Sequence, residues 1–136
     1  MESGARMTRK IAREEAFILI FEKIFSGESI EEILDLAVEA RDLEPDDYIK
    51  QVFTGVYNYA DSIDELISQN AVGWKIERIS KTALAILRLA IYEIKYMDDI
   101  PVSVSINEAV EIAKKYATPE DASFINGILS TVVKKM

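Results

Sequence analysis

The segment from Lys81 to Tyr96 constrains the fold most strongly, because its residues follow a helical pattern and yet are apolar on nearly every side of the helix. Ser80 precedes it as a helix-capping residue. A helix with so little polar surface must be covered by other elements, so we expect it to be the buried centre of a domain. Arg88 lies inside this segment and is predicted to form a structural ion pair, with Glu93 and Glu108 as candidate acceptors.

Apolar residues recur at helical spacing through the rest of the chain, without the alternating pattern of β-strands. The fold is therefore predicted to be all-α. We expect six main helices and one short turn, packed as a single domain of two helical sub-bundles over residues 8–136. Residues 1–7 are expected to form a flexible N-terminal extension, and whether part of it comes from a cloning vector is left open.

Capping residues and prolines predict where the N-terminal helices begin. Thr8 and Ser29 are suited to cap the first two helices, since a hydroxyl can accept a hydrogen bond from a free backbone N–H group of the first turn. Pro45 suits the first position of a helix. It is predicted to begin a long third helix that continues to about Ser68.

Two further helices are predicted near the C-terminus. Ser105 with Glu108 has the spacing of a capping box, although Ser103 competes with Ser105 as the cap. Thr118 is predicted to cap the last helix, with Pro119 at its first position. Both helices should pack on the central apolar helix.

Two asparagines and a glycine lie within these two helices. Asn107 and Asn126 are placed among isoleucine, valine and leucine residues, and an amide in such surroundings needs a fixed hydrogen-bond partner. Gly127 weakens a helix unless two backbones must approach closely. The three residues are therefore predicted to be buried and to lock helices together.

Composition excludes several kinds of chemistry. The chain of 136 residues has no cysteine and no histidine, which removes disulfides, thiolate sites and the commonest acid/base group at neutral pH. Nucleotide-binding glycine motifs and metal-ligand clusters are absent from the sequence. We expect no enzyme activity, no cofactor and no metal. Without a secretory or membrane-spanning pattern, the protein is expected to be cytoplasmic.

The charge distribution is uneven. The first 13 residues carry four basic residues and one acidic residue, a net charge of +3, which leaves −11 for the remaining chain within the total of −8. Arg9, Lys10 and Arg13 follow helical spacing at the start of the first helix, where cations oppose the helix dipole. A bound phosphate would resolve this conflict, so the segment is predicted to bind RNA or phosphate. A basic face that contacts only solvent is the alternative.

Several motifs occur in a characteristic order, and together they resemble the NusB family of bacterial transcription antitermination factors. They are Trp74 with Arg78, LRLAIYE at residues 87–93, the segment Pro101–Tyr116, and the segment Phe124–Leu129. The resemblance implies two perpendicular three-helix bundles. It also implies binding of the boxA element of ribosomal RNA leader transcripts, together with the ribosomal protein NusE, in an antitermination complex with RNA polymerase.

The resemblance also implies roles for individual positions. Basic residues match the RNA-binding segment of the family, two aromatic residues match positions beside that RNA surface, and two acidic residues match the region near the NusE contact. The basic residues are Arg9, Lys10 and Arg13. The aromatic residues are Phe21 and Phe124, and the acidic residues are Glu120 and Asp121.

Two other classes of function remain open. The acidic body of the chain suits a helical protein-binding adaptor or a homodimer without a direct role in RNA binding. A similar helical domain precedes some RNA cytosine methyltransferases, but no cofactor-binding α/β pattern is present in this sequence, so that class is not expected.

Overall fold

The computed structural model describes residues 7–136, so residues 1–6 of the extension expected over residues 1–7 lie outside the described residues. Met7 is partly buried against the core. The described chain is all-α, as predicted, and contains no strand within these limits. Its helices are α1 (Arg9–Ile24), α2 (Ile30–Arg41), α3 (Asp47–Asn58), α4 (Ala60–Asn70), α5 (Lys81–Tyr96), α6 (Val102–Tyr116) and α7 (Pro119–Lys134), with a 3₁₀ turn at Ile76–Arg78.

Helix α5 is the centre of the domain. It packs against α1, α3, α4, α6 and α7, and its residues from Ala83 to Leu87 and from Leu89 to Ile94 are buried. Helices α1, α2 and α3 form the N-terminal group, whereas α6 and α7 cover the other side of α5. The buried residues of both groups form one continuous core. The prediction that the apolar helix is the buried centre is confirmed.

Four of the predicted helix caps are present. In each, the hydroxyl of the capping residue accepts a hydrogen bond from the backbone N–H group three residues later, at 3.0 or 3.1 Å. In α2, the carboxylate of Glu32 also accepts a hydrogen bond from the backbone N–H group of the capping residue Ser29 at 2.8 Å, which completes a capping box. The four capping residues are Thr8, Ser29, Ser80 and Thr118.

The predicted start of α6 is wrong. The helix begins at Val102, directly after Pro101, and has no side-chain cap, so neither Ser103 nor Ser105 is a capping residue. Pro101 occupies the cap position, and its carbonyl group accepts hydrogen bonds from the N–H groups of Val104 and Ser105. Ser105 is buried in the first turns of the helix, where its hydroxyl is available to another helix.

The predicted long third helix is two helices. Asp46 caps α3 and Asp47 is its first residue, so Pro45 lies before the helix and not at its first position as predicted. The chain bends at Tyr59 before α4 begins. The ring of Tyr59 stacks on that of Tyr96 at the end of α5, with 4.3 Å between the ring centroids. This bend allows α3 to pack on α1 while α4 packs on α5 and α7.

The predicted helix lock of two asparagines and a glycine is also wrong. Asn107, Asn126 and Gly127 are all exposed, and a Cβ atom on Gly127 would meet nothing within 4 Å. Neighbouring positions on α7 face the core instead, because each residue turns the helix by about 100°. The close helix approach occurs at Gly55, where a Cβ atom would lie 2.2 Å from Cε1 of Tyr92.

Arg88 forms an ion pair between two helices. Its Nε and Nη2 atoms each donate a hydrogen bond to Asp64 at 2.9 Å, one to each carboxylate oxygen. The acceptor is therefore Asp64 on α4, and not Glu93 or Glu108. This bidentate pair ties α5 to α4.

The two helical glycines form a matched test of packing. Gly55→Ala is expected to destabilise the fold, because overpacking costs about 1–3 kcal/mol and the buried ring of Tyr92 has little room to move. Gly127→Ala is expected to stabilise by up to about 1 kcal/mol, since alanine favours the helix and nothing obstructs its methyl group. Urea denaturation measures both free energies of unfolding. Equal stability of the two variants would contradict the assignment of Gly55 as the contact position.

Candidate nucleic-acid interface

A buried carboxylate lies beneath the N-terminal end of α1. Glu93 on α5 is wholly buried and accepts hydrogen bonds from three other helices. Nε of Arg13 donates from α1 at 2.7 Å, the hydroxyl of Ser105 donates from α6 at 2.7 Å, and the hydroxyl of Tyr48 donates from α3. These four side chains, Glu93, Arg13, Ser105 and Tyr48, are called the Glu93 cluster below.

Arg13 therefore does not contribute to a surface, and its predicted role in RNA contact is corrected. Its residue is 3% exposed, and Nη1 lies 3.7 Å from Glu108, which adds a second carboxylate. Burial disfavours the charged guanidinium, but the hydrogen bond and the charge of Glu93 outweigh it and raise the pKa of Arg13. The sequence contained a signal for this, because Arg13 follows Ala12 and precedes Ala16 on the inward face of α1.

The same cluster keeps Tyr48 in its neutral form. Burial first, and then the neighbouring charge of Glu93, raise the pKa of the Tyr48 hydroxyl far above its ordinary value. The hydroxyl is thus a permanent donor to Glu93. Through it, the first turn of α3 is fixed to α5 and α1.

Arg9 and Lys10 remain at the surface on the first turn of α1. The Cζ atom of Arg9 lies 4.5 Å from the ring centroid of Tyr48, in cation–π contact. The side chain of Lys10 is 68% exposed, and its Nζ atom lies 3.3 Å from Glu108. No acidic residue occurs in the first turn of α1. Two predicted RNA-binding cations are thus presented together at a helix N-terminus.

A groove of mixed charge runs between α1 and α6. Lys10 and Lys114 lie along it, and Lys115 donates hydrogen bonds to both carboxylate oxygens of Glu14 at 2.9 and 3.0 Å. The hydroxyl of Tyr116 also donates to Glu14, at 2.9 Å. Partial burial disfavours ionisation of Glu14, but these hydrogen bonds outweigh it and lower its pKa. Sequence reasoning missed the lysines of α6, which the fold brings beside α1.

An aromatic row continues from this groove along α1. The ring of Tyr116 lies 5.1 Å from that of Phe17, which is followed by Phe21 at 6.2 Å and by Phe25 at a further 5.1 Å. Phe17 is buried and Phe21 is partly buried, whereas Phe25 is 65% exposed. Sequence reasoning selected Phe21 and missed Phe25, although the four-residue spacing of the three phenylalanines indicates one helix face.

The remaining predicted residues lie on α7. Phe124 is partly buried, and its ring lies 5.8 Å from that of Trp74, a residue that is 54% exposed. Asp121 lies one turn before Phe124 and accepts a hydrogen bond from the hydroxyl of Ser80 at 3.2 Å. Glu120 is exposed beside it. Trp74, Glu120, Asp121 and Phe124 are called the α7 surface below, and it is separate from the aromatic row of α1.

Two features are absent from the described residues. In the part of the chain that the structure describes, no helix combines the length and apolar character needed to cross a membrane. Residues 7–136 also contain no group of three or more acidic side chains arranged to hold a metal ion.

The comparisons with known proteins agree with this fold. The model of the NusB family matches residues 10–134. The transcription antitermination protein NusB of Clostridium botulinum, strain Alaska E43 / Type E3, is 46% identical over 133 residues, covering 95% of this chain and 100% of that protein. That of Acetivibrio thermocellus is 49% identical over 130 residues, covering 94% and 90%. The chain therefore belongs to the NusB family of transcription antitermination proteins.

Solved structures extend the comparison to the arrangement of helices. The NusB of T. maritima has a TM-score of 0.83 and 33% identity, with coverage of 96% of this chain and 94% of that one. The antitermination factor NusB in a complex with NusE and dsRNA has a TM-score of 0.84 and 26% identity, with coverage of 94% and 97%.

The Glu93 cluster predicts a large asymmetry between two substitutions. Glu93→Gln leaves Arg13 charged, buried and without its main counterion, so a loss of about 3–5 kcal/mol in unfolding free energy is expected. Ser105→Ala removes only one hydrogen bond to the same carboxylate and should cost about 0.5–1.5 kcal/mol. Urea denaturation compares the two variants. A Glu93→Gln variant as stable as Ser105→Ala would show that the buried charge of Arg13 does not depend on Glu93.

Proposed function

We propose that this protein binds boxA-type single-stranded RNA through the N-terminal end of α1, together with a NusE ribosomal protein, in an antitermination complex with RNA polymerase. The observation that carries the proposal is the exposed pair Arg9 and Lys10 on a helix turn without acidic residues. The similarity to a NusB found in complex with NusE and dsRNA supports it. The role is one of binding, in the cytoplasm, and not of catalysis.

The N-terminal turn of α1 suits a phosphate group. Backbone N–H groups at a helix start carry partial positive charge, and the cations Arg9 and Lys10 add to it where they destabilise the helix itself. A phosphate of the RNA backbone would interact favourably with both. Lys10 and Lys114 add cations along the groove of α1 and α6, where each lies 3.3 Å from a carboxylate, of Glu108 and Glu111 respectively.

The aromatic row supplies surfaces for bases. Unpaired bases stack on aromatic rings, and each such contact contributes about 1–3 kcal/mol. Phe21 is the proposed stacking residue on α1, with the exposed rings of Tyr116 and Phe25 on either side of it in the row. Phe124 is a further proposed RNA contact.

The acidic part of the α7 surface, with Trp74, is the proposed contact for the partner. Glu120 and Asp121 place two carboxylates at the first turn of α7, which suits a basic partner. Trp74 beside them offers a large exposed ring, the kind of residue that anchors protein interfaces. A basic partner bound here would also reduce the repulsion between RNA and the acidic body of the protein.

A protein-binding adaptor is the second candidate function. Val72 is 89% exposed and lies next to the loop that carries Trp74, so this side of the molecule has apolar surface available to a protein. Binding to a protein alone would respond weakly to salt if it were mainly apolar. RNA binding would weaken steeply with salt, because phosphate neutralisation releases counterions.

Charge reversal at α1 tests the RNA surface. The double variant Arg9→Glu, Lys10→Glu is expected to weaken binding to boxA-type single-stranded RNA by about tenfold or more, since two phosphate contacts become repulsive. The variant should stay folded, because acids at a helix N-terminus favour the dipole. Fluorescence anisotropy at several salt concentrations measures the affinity.

The matched control reverses the same number of charges elsewhere. Lys134 and Lys135 lie at the end of α7, a helix that packs on α4, α5 and α6. Lys134→Glu, Lys135→Glu should weaken RNA binding far less than the α1 variant, and equal losses would rule out α1 as the specific surface.

Cooperation with the partner is tested by a reciprocal titration. A purified NusE ribosomal protein is expected to increase RNA affinity, and RNA must then increase NusE affinity by the same factor. Glu120→Lys should reduce this coupling by weakening the basic partner's contact, whereas Glu44→Lys, an equal charge change on the loop before α3, should not. Equal RNA affinity with and without NusE would remove the case for cooperative binding.

A further inference from the structure

We propose that Tyr48 is a positioning residue that holds the guanidinium of Arg9 toward a backbone phosphate of RNA. This inference rests on the proposed function, because it concerns how the α1 surface binds its ligand. The guanidinium carbon of Arg9 lies 4.5 Å from the centroid of the Tyr48 ring. Arg9 is exposed, whereas Tyr48 is buried. The guanidinium of the exposed Arg9 side chain thus contacts the ring of Tyr48, which the core holds in place.

The Tyr48 ring is fixed at both ends. Its backbone lies in the first turns of α3, where Asp46 caps the helix by accepting a hydrogen bond from the N–H group of Ile49 at 2.8 Å. Its hydroxyl donates to Glu93, which is itself held by Arg13. A ring bonded in this way cannot turn aside when Arg9 binds a ligand.

The contact with Tyr48 prepares Arg9 for phosphate. The guanidinium carbon lies over the ring, and a guanidinium has five N–H donors, so donors remain that can bond phosphate oxygens. An arginine side chain loses up to about 2 kcal/mol of rotamer freedom when it is fully ordered, and ordering it before binding lowers that cost of association.

The other cations of this surface are paired with carboxylates. Lys10 lies 3.3 Å from Glu108, and Lys115 is bonded to Glu14, so RNA must compete with a carboxylate at each. Arg13 is buried and hydrogen-bonded to Glu93, so it does not reach the surface. Within residues 7–136, Arg9 contacts an aromatic face, and an aromatic ring competes with phosphate far less than a carboxylate does.

The test separates the ring of Tyr48 from its hydroxyl. Tyr48→Leu removes both, and is expected to weaken binding to boxA-type single-stranded RNA about three- to tenfold, the range of one partly desolvated cation–π contact. Tyr48→Phe keeps the ring and should restore most of the affinity that leucine loses. Both variants lose the bond to Glu93, so both should melt at a lower temperature than the wild type.

Ser105→Ala is the matched stability control, because it removes another hydrogen bond to Glu93 without touching the ring. It should lower the melting temperature and leave RNA affinity unchanged. A further substitution, Arg9→Gln, removes the cation that Tyr48 positions. In that background, Tyr48→Leu should cause no additional loss of affinity beyond that of Tyr48→Phe.

Arg9→Lys provides a second route that leaves the buried cluster intact and applies even if Tyr48→Leu does not fold. It keeps the charge but replaces the guanidinium over the Tyr48 ring with an ammonium group, and RNA affinity should fall about threefold. Wild-type affinity in Arg9→Lys, or equal affinities of Tyr48→Leu and Tyr48→Phe, would overturn the positioning role alone. Absence of RNA binding by the wild-type protein, with NusE present, would overturn the proposed function as well.

Discussion

The carboxylate of Glu93 is wholly buried, and a buried charge costs several kcal/mol unless neighbouring groups neutralise it and occupy its lone pairs. Those groups come from α1, α3 and α6, because Glu93 itself lies on the central helix α5. Apolar packing alone allows helices to slide and rotate with little change in contact area. The hydrogen bonds of Arg13, Tyr48 and Ser105 remove that freedom, since each donor must lie within hydrogen-bond distance of the two carboxylate oxygens of Glu93. The register of four helices therefore depends on one side chain.

The same interaction organises the surface. Arg9 lies one turn before Arg13 on α1, so fixing Arg13 in the core also fixes where Arg9 emerges. Tyr48 connects the core to the surface, since its hydroxyl donates a hydrogen bond to Glu93 and its ring contacts Arg9. A basic tail without such support would present its charges over a broad range of positions. Here the proposed RNA surface inherits the rigidity of the core, which is how a binding site gains affinity without additional contacts.

The sequence predicted the elements well and their polar contacts poorly. Helix starts at Thr8 and Thr118 were readable because capping is a local interaction over three residues. The partner of Arg13 was not readable, since Glu93 lies 80 residues away along the chain. Asn107 and Asn126 were wrongly predicted to be buried, for a related reason. A helix with a wide apolar stripe leaves its borders ambiguous, and a shift of one position, about 100°, turns a core residue into an exposed one.

Internal acids set the electrostatic character of the proposed site. Glu14 and Glu108 already pair with Lys115 and Lys10, so a phosphate gains less from these lysines than their charge suggests. The acidic body adds repulsion, although screening over about 8 Å at physiological salt confines it to nearby groups. Both effects reduce binding to arbitrary RNA. A bound basic partner would raise the local potential for any RNA, while stacking on Phe21 and the bond geometry of Arg9 would depend on how a particular strand lies. In the proposed complex, charge would therefore control when the surface binds RNA, and the aromatic and planar groups would control which RNA it binds.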